Sequence, residues 1–130
     1  MEMRPTLDTL FAAVNKEPEP DWVEVNDLIG QVALDPAALE WALTQGFIDP
    51  SDDNRDLAAS LFEASTADLK PGEVEGLQAM LSDPHPFARF RAAFALRVHG
   101  DTSPEVLVVL EQAAVHEDEE ASTRAKELLR

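Results

Sequence analysis

Residues 80–100 read MLSDPHPFARFRAAFALRVHG, and this stretch contains the features that decide the fold. The pair Asp83-Pro84 places a side chain that can cap a helix directly before a proline, a residue favoured at the first helical position. Three phenylalanines and three arginines follow within 85–99, without a single acidic residue. We therefore expect a helix over 72–82, a tight turn, and a second helix over 85–99.

The same kind of helix start recurs along the chain. The other pairs of a capping residue and a proline are Asp35-Pro36, Asp49-Pro50 and Ser103-Pro104. Apolar residues between them follow helical spacing, and one such stripe, Trp22, Val25, Ile29 and Val32, places Trp22 in the predicted core. No segment alternates with the period of a strand, so we predict an all-α fold of roughly eight helices. The expected ranges are 5–15, 22–34, 36–45, 51–64, 72–82, 85–99, 104–115 and 118–129.

The sequence also repeats itself. Asp49-Pro50 recurs as Asp83-Pro84, 34 residues later, and residues 54–62 align with residues 88–96 at the same offset. Residues 121–129 follow at an offset of 33. A period of this length built from pairs of helices is typical of stacked helical hairpins, in which each pair buries one face against its neighbours.

Residues 80–100 resemble a HEAT repeat of the short bacterial type, and residues 49–62 and 121–129 match it in part. The matching residues of the first stretch are Met80, Leu81, Asp83, Pro84, Arg89, Ala92, Ala93, Ala95, Leu96 and Gly100. The resemblance implies one domain over 1–130, a right-handed α-solenoid of about four helical hairpins. About three HEAT-like repeats would occupy 36–130, after atypical capping helices over 1–35. Because the family mostly supplies scaffolds for protein contacts, it also implies a non-catalytic protein-interaction module.

The resemblance further implies a structural role for one arginine in each repeat. Arg89 stands at the arginine position of the pattern, where the family usually pairs this side chain with a carboxylate near the turn between helices. Asp83, Asp101 or an acid of the adjacent repeat would be its partner. Arg55 stands at the equivalent position of the preceding repeat, whose Asp-Pro pair begins at Asp49.

The phenylalanines of the second helix form the candidate binding site. Phe87, Phe90 and Phe94 are three and four residues apart, so they share one face of a helix, which Arg91 and Arg97 border. In solenoids of the resembled family, this face lines the concave surface. The equivalent positions of the neighbouring repeats are polar, so an exposed aromatic patch here would require an explanation.

Three interpretations of this stripe stay open. The rings belong to the core, covered by the N-terminal helices or by a tight superhelix; or they are exposed anchors for a partner; or they form a homodimer contact. The anchor hypothesis adds Asp53, Asp56 and Glu63 as an acidic rim, suited to a basic amphipathic segment of a partner protein. We expect a monomer or a weak homodimer.

The charge of the chain limits the possible partners. The formal net charge is −16, which repels nucleic acid and anionic lipid, so neither is expected to bind directly. Two interpretations of this acidity stay open: it attracts a basic protein, or it only maintains solubility. The same acidity fits a second function, an inhibitor or immunity-type protein that mimics nucleic acid and blocks a nuclease or a DNA-binding protein.

The sequence contains no recognisable catalytic or metal-binding motif. The chain contains no cysteine, and His85, His99 and His116 lack the spacing of helical metal ligands. We therefore predict no cofactor, no metal and no enzymatic activity. The sequence shows no apolar stretch of membrane-spanning length and no secretion signal at its N-terminus, and we expect a cytoplasmic protein.

Overall fold

A computed structural model describes residues 6–130, and this part of the chain contains eight α-helices and no strand. The predicted all-α class with eight helices is therefore confirmed, while the expected start of the first helix at residue 5 lies outside the described residues. The helices are α1 (Leu7–Val14), α2 (Trp22–Val32), α3 (Pro36–Thr44), α4 (Asp52–Ala64), α5 (Pro71–Met80), α6 (Pro86–Val98), α7 (Pro104–Ala114) and α8 (Glu119–Leu129). A short 3-10 turn, Gly46–Ile48, separates α3 from α4.

In two of the aspartate-proline pairs, the aspartate lies two residues before the N-cap of its helix, whereas the sequence pattern predicts it at the N-cap itself. The N-cap residue of α4 is Ser51, whose hydroxyl accepts from the Asn54 N–H. The N-cap residue of α6 is His85, whose side chain forms no capping hydrogen bond. Each carboxylate instead accepts a hydrogen bond from the backbone N–H two residues ahead, at 2.8 Å for Asp49 and 2.9 Å for Asp83. Such a bond closes a turn before the helix begins, and this turn brings the chain into the second helix of each pair.

The helices pack in pairs. Each odd-numbered helix packs on the even-numbered helix that follows it, and the even-numbered helices α2, α4, α6 and α8 pack side by side in that order. Helix α6 occupies an inner place in this row, between α4 and α8, and also contacts α5 and α7. Its residues 92–96 are consecutive and all buried, as expected for a helix with neighbours all round.

An ion pair joins two successive helix pairs. Arg55 of α4 donates from Nε to Asp83 Oδ2 at 2.7 Å and from Nη2 to Asp83 Oδ1 at 3.1 Å. The Arg55 side chain is 13% exposed and that of Asp83 is 7% exposed. Arg55 also pairs with Asp52 and donates to the carbonyl oxygen of Asp49 at 2.9 Å. One guanidinium therefore ties the start of α4 to the turn before α6.

The ion pair changes the acidity of Asp83. Burial alone would raise the pKa of Asp83, but hydrogen bonds from Arg55 and from the His85 N–H, with the charge of Arg55, hold it below its usual range. A carboxyl whose pKa is lowered on folding stabilises the fold above its unfolded pKa. That stabilisation is lost as the pH falls through the lowered value.

Arg89 differs from its expected role. Its Nη1 donates to the carbonyl oxygens of Asp83 at 2.8 Å and Pro84 at 3.3 Å, which repeats what Arg55 does at Asp49 and Pro50. No carboxylate of residues 6–130 forms a salt bridge with Arg89. The expected pairing of Arg89 with a carboxylate is therefore wrong. The carboxylate of Asp83 faces Arg55, and Arg89 holds the backbone of the turn.

Replacement of Asp83 by asparagine tests the ion pair. Asp83→Asn keeps the acceptor of the turn but leaves Arg55 largely buried without its main counter-charge, and we expect a loss of about 2 kcal/mol in the free energy of unfolding. Urea unfolding followed by circular dichroism measures this loss. Asp49→Asn is the matched control, because Asp49 makes the same turn without an ion pair, and it should cost less than about 0.5 kcal/mol.

The pH dependence of the same comparison provides a second check. The difference between wild type and Asp83→Asn should be full near neutral pH. It should begin to shrink below about pH 4, where Asp83 of the unfolded chain protonates, and it should be lost as the pH falls through the lowered pKa of the folded protein. Equal losses for the two variants, or a difference that does not change with pH, would contradict the role of the ion pair.

Candidate protein-interaction site

The phenylalanine stripe lies mostly inside the protein. Phe90 and Phe94 are each 3% exposed, and only Phe87, at 36%, reaches the surface. The rings of Phe90 and His116 pack in a T-shaped arrangement with 5.3 Å between their centroids, and the Arg91 guanidinium lies 5.7 Å from the centroid of Phe94. The hypothesis of three exposed anchors is therefore wrong for Phe90 and Phe94. They are buried because α6 packs between α4 and α8.

Arg97 has a structural contact instead of a place on an open surface. Its Nε donates to the carbonyl oxygen of Leu128 at 3.0 Å, near the C-terminus of α8. Carbonyl groups in the last turn of a helix lack partners within the helix, so a basic side chain there stabilises the helix end. Arg97 thus fastens the last helix to α6.

An open cleft lies beside the stripe, in the row of even-numbered helices. Its volume is about 420 Å³, and its walls come mainly from α2 and α4, with α1, α6 and α8 contributing single side chains or pairs. The lining residues are Val14, Trp22, Val25, Asn26, Ile29, Asp53, Asp56, Leu57, Ser60, Glu63, Ala64, Arg91, Glu120 and Arg124. The three predicted rim acids, Asp53, Asp56 and Glu63, all lie in this cleft.

Trp22 is the exposed aromatic residue of the cleft. It is 60% exposed, whereas the apolar stripe of α2 predicts a core position. The buried face of α2 consists of Val25, Leu28 and Val32, and Trp22 and Ile29 lie on the flank of that face. Leu28 is the residue that could have predicted this exposure from the sequence. When Leu28 is counted among the apolar residues of α2, the centre of the buried face moves away from Trp22.

Ion pairs connect α6 and α8 to the acids of α4 in the cleft. Arg91 donates from Nη1 to Glu63 Oε1 at 2.9 Å and from Nε to Asp56 Oδ1 at 3.1 Å. Arg124 of α8 reaches Glu63 Oε2 with Nε and Nη2, both at 3.4 Å. Asp56 and Glu63 are therefore neutralised in part from within the protein. Asp53 is exposed and forms no salt bridge within residues 6–130.

Burial in the cleft shifts the pKa values of two of these groups. Burial raises the pKa of Asp56 above its usual range, because the charge and hydrogen bond of Arg91 offset it only in part. Burial alone would lower the pKa of Arg91, but the charges of Asp56 and Glu63 raise it above the ordinary arginine value. A carboxylate kept in an unfavourable position within a cleft is a common mark of a functional site.

The cleft has a mixed apolar and acidic character. Four carboxylates, those of Asp53, Asp56, Glu63 and Glu120, stand against the guanidinium groups of Arg91 and Arg124, which leaves two negative charges. Trp22, Val14 and Ile29 supply apolar surface beside them. This arrangement can bind a side chain or helix face that combines apolar groups with positive charge.

The histidines have separate surroundings. His99 Nε2 lies 2.8 Å from the carbonyl oxygen of Phe62, and His116 Nδ1 accepts from the Asp118 N–H at 3.0 Å. Within residues 6–130, no three histidine, aspartate or glutamate side chains are placed to hold a metal ion. None of the helices over the same range is long and apolar enough to cross a membrane.

Comparisons with protein-family models, with curated proteins and with solved structures found no significant match to this chain. The likeness of residues 80–100 to a HEAT repeat therefore stays a prediction from the sequence.

The burial of the phenylalanines leads to a direct prediction. Phe90→Ala and Phe94→Ala each remove a ring from the core and should lower the free energy of unfolding by about 3 kcal/mol. Phe87→Ala, on the same helix but partly exposed, should cost less than about 1 kcal/mol. Urea unfolding of the three variants measures the difference. Equal, small losses would show that the rings are accessible after all.

Proposed function

We propose that this chain is a non-catalytic protein-interaction module whose cleft binds a basic amphipathic segment of a partner protein. We also propose that its helix pairs form a right-handed α-solenoid of HEAT-like repeats, with α2 and α4 supplying the walls of the cleft. The pairing of successive helices and the row of even-numbered helices support this architecture. The observation that carries the function is the pairing of an exposed tryptophan with acids in one open cleft.

The apolar side of the cleft supports the proposal that the bound segment has an apolar face. Trp22 is 60% exposed, and tryptophan is enriched among the residues that dominate binding energy at protein interfaces. Ile29 and Val14, both half-buried, extend this surface along the cleft. An apolar face of a partner helix would cover Trp22 and remove these groups from water together.

The negative charge of the protein and of its cleft supports the proposal that the bound segment is basic. The net charge of −16 attracts a basic partner from a distance, and the two excess negative charges of the cleft favour its positive groups on arrival. Helix α2 has 11 residues, which corresponds to about 16 Å of wall. Two to three turns of a partner helix fit along such a wall, as in other complexes where an amphipathic helix lies in a groove.

Exposed tryptophan gives a direct readout of occupancy. The probe is an amphipathic peptide of about 15 residues built from leucine, alanine and arginine, a length at which an isolated helix is marginal. In the variant Trp41→Phe, Trp22 is the remaining tryptophan. Addition of the peptide should shift Trp22 emission to shorter wavelength, and a glutamine-for-arginine version of the peptide should not. An unchanged emission spectrum would contradict binding at the cleft.

Two variants of exposed apolar residues distinguish binding at the cleft from nonspecific hydrophobic binding of the peptide. Trp22→Ala should weaken binding of the fluorescein-labelled peptide by about tenfold or more, measured by anisotropy. Ile48→Ala is the matched control, because Ile48 is 79% exposed and does not line the cleft. Equal effects of the two variants would place the binding surface elsewhere.

Two charge variants distinguish the effect of the cleft acids on binding from the effect of the overall net charge. The double variant Asp53→Asn, Glu120→Gln should weaken binding and reduce its salt dependence, while Glu75→Gln, Glu111→Gln removes the same charge from exposed sites outside the cleft. Equal losses for the two variants would overturn the proposal. For a natural partner, displacement by excess double-stranded DNA would favour the nucleic-acid mimic instead.

A further inference from the structure

The contact between Arg124 and Glu63 differs from the other ion pairs of the cleft. Arg124 comes from the last helix and places both Nε and Nη2 at 3.4 Å from one oxygen, Glu63 Oε2. Arg91 holds the other oxygen, Oε1, at 2.9 Å. The Arg124 side chain is 39% exposed, whereas that of Glu63 is only 12% exposed. One side of the Glu63 carboxylate is thus firmly bound, and the other side is loosely covered.

We propose that Glu63 is the docking point for an arginine of the partner and that Arg124 occupies this point in the free protein. This inference rests on the proposed function and names the group that the cleft recognises. In the complex, the partner guanidinium would take the place of Arg124 at Glu63 Oε2. Arg124 would then act as an internal competitor that sets how tightly the partner is bound.

The geometry of Glu63 favours arginine over lysine. Arg91 fixes one carboxylate oxygen and so orients the other toward the cleft. Arg124 presents two N–H groups of its planar fork to that oxygen. A partner guanidinium can reproduce this approach, while a lysine ammonium offers a compact point charge without the fork.

When a partner arginine replaces Arg124 at Glu63, every charged group involved still has a counter-charge. Arg124 Nη1 also lies 3.6 Å from Glu127 Oε2, on the same helix and at an exposed position. When a partner arginine displaces it, Arg124 can stay paired with Glu127 in water. Because exposed pairs of this kind contribute little, the exchange of one guanidinium for another costs little at Glu63.

The decisive variant is Arg124→Ala, with Lys126→Ala as its matched control. Both remove one positive charge from α8, but Lys126 is exposed and forms no salt bridge within residues 6–130. By anisotropy with the labelled arginine peptide, Arg124→Ala should tighten binding about three- to fivefold. Lys126→Ala should change it by less than about twofold. Unchanged or weaker binding by Arg124→Ala would overturn the inference.

A second comparison tests the preference for arginine. The same peptide with lysine at every arginine position should bind wild type more weakly, and Glu63→Gln should reduce the ratio of the two affinities toward one. This ratio is measured on folded protein, checked by circular dichroism, so that it is independent of a stability loss at Glu63. An unaltered ratio in Glu63→Gln would overturn the inference. Peptide binding that is insensitive to Trp22→Ala would instead overturn the proposed function.

Discussion

The packing of helix α4 against helix α6 is the constraint on which the rest of the structure depends. Both helices carry adjacent buried alanines, Ala58 and Ala59 in α4 and Ala92 and Ala93 in α6, each fully buried. Buried alanines add little side-chain volume, so the segments that pack on these two helices can approach them closely. The ion pairs on either side of this contact then follow from it.

These ion pairs run in opposite directions between the two helices. On one side, Arg55 of α4 reaches Asp83 in the turn before α6, where both side chains are largely buried. On the other side, Arg91 of α6 reaches back to Asp56 and Glu63 of α4, inside the open cleft. The buried pair fixes the register of the helix pairs. The accessible pair holds acids in place where a partner can reach them.

The sequence predicts the helices well because their determinants are local. A proline that favours a helix start lies within a few residues of that start, and the apolar spacing that indicates a helix lies within the helix itself. These local patterns are enough to predict the eight helices. Exposure is determined by neighbours that are distant in sequence, which a single stripe of residues does not reveal. Phe90 is covered by His116, and Trp22 is left open because the inner face of α2 turns toward Leu28.

The residues that the repeat comparison aligns between α4 and α6 differ in size and polarity. The residues of α4 at the positions of Phe90 and Phe94 are Asp56 and Ser60, and both line the cleft. In α6 these two rings are almost fully buried, with Phe90 in contact with His116. Asp56 and Ser60 are shorter than phenylalanine, and together with residues of α2 they line an open cleft. Trp22 and the acids of α4 therefore meet in an opening beside α2 that none of the phenylalanines of α6 lines.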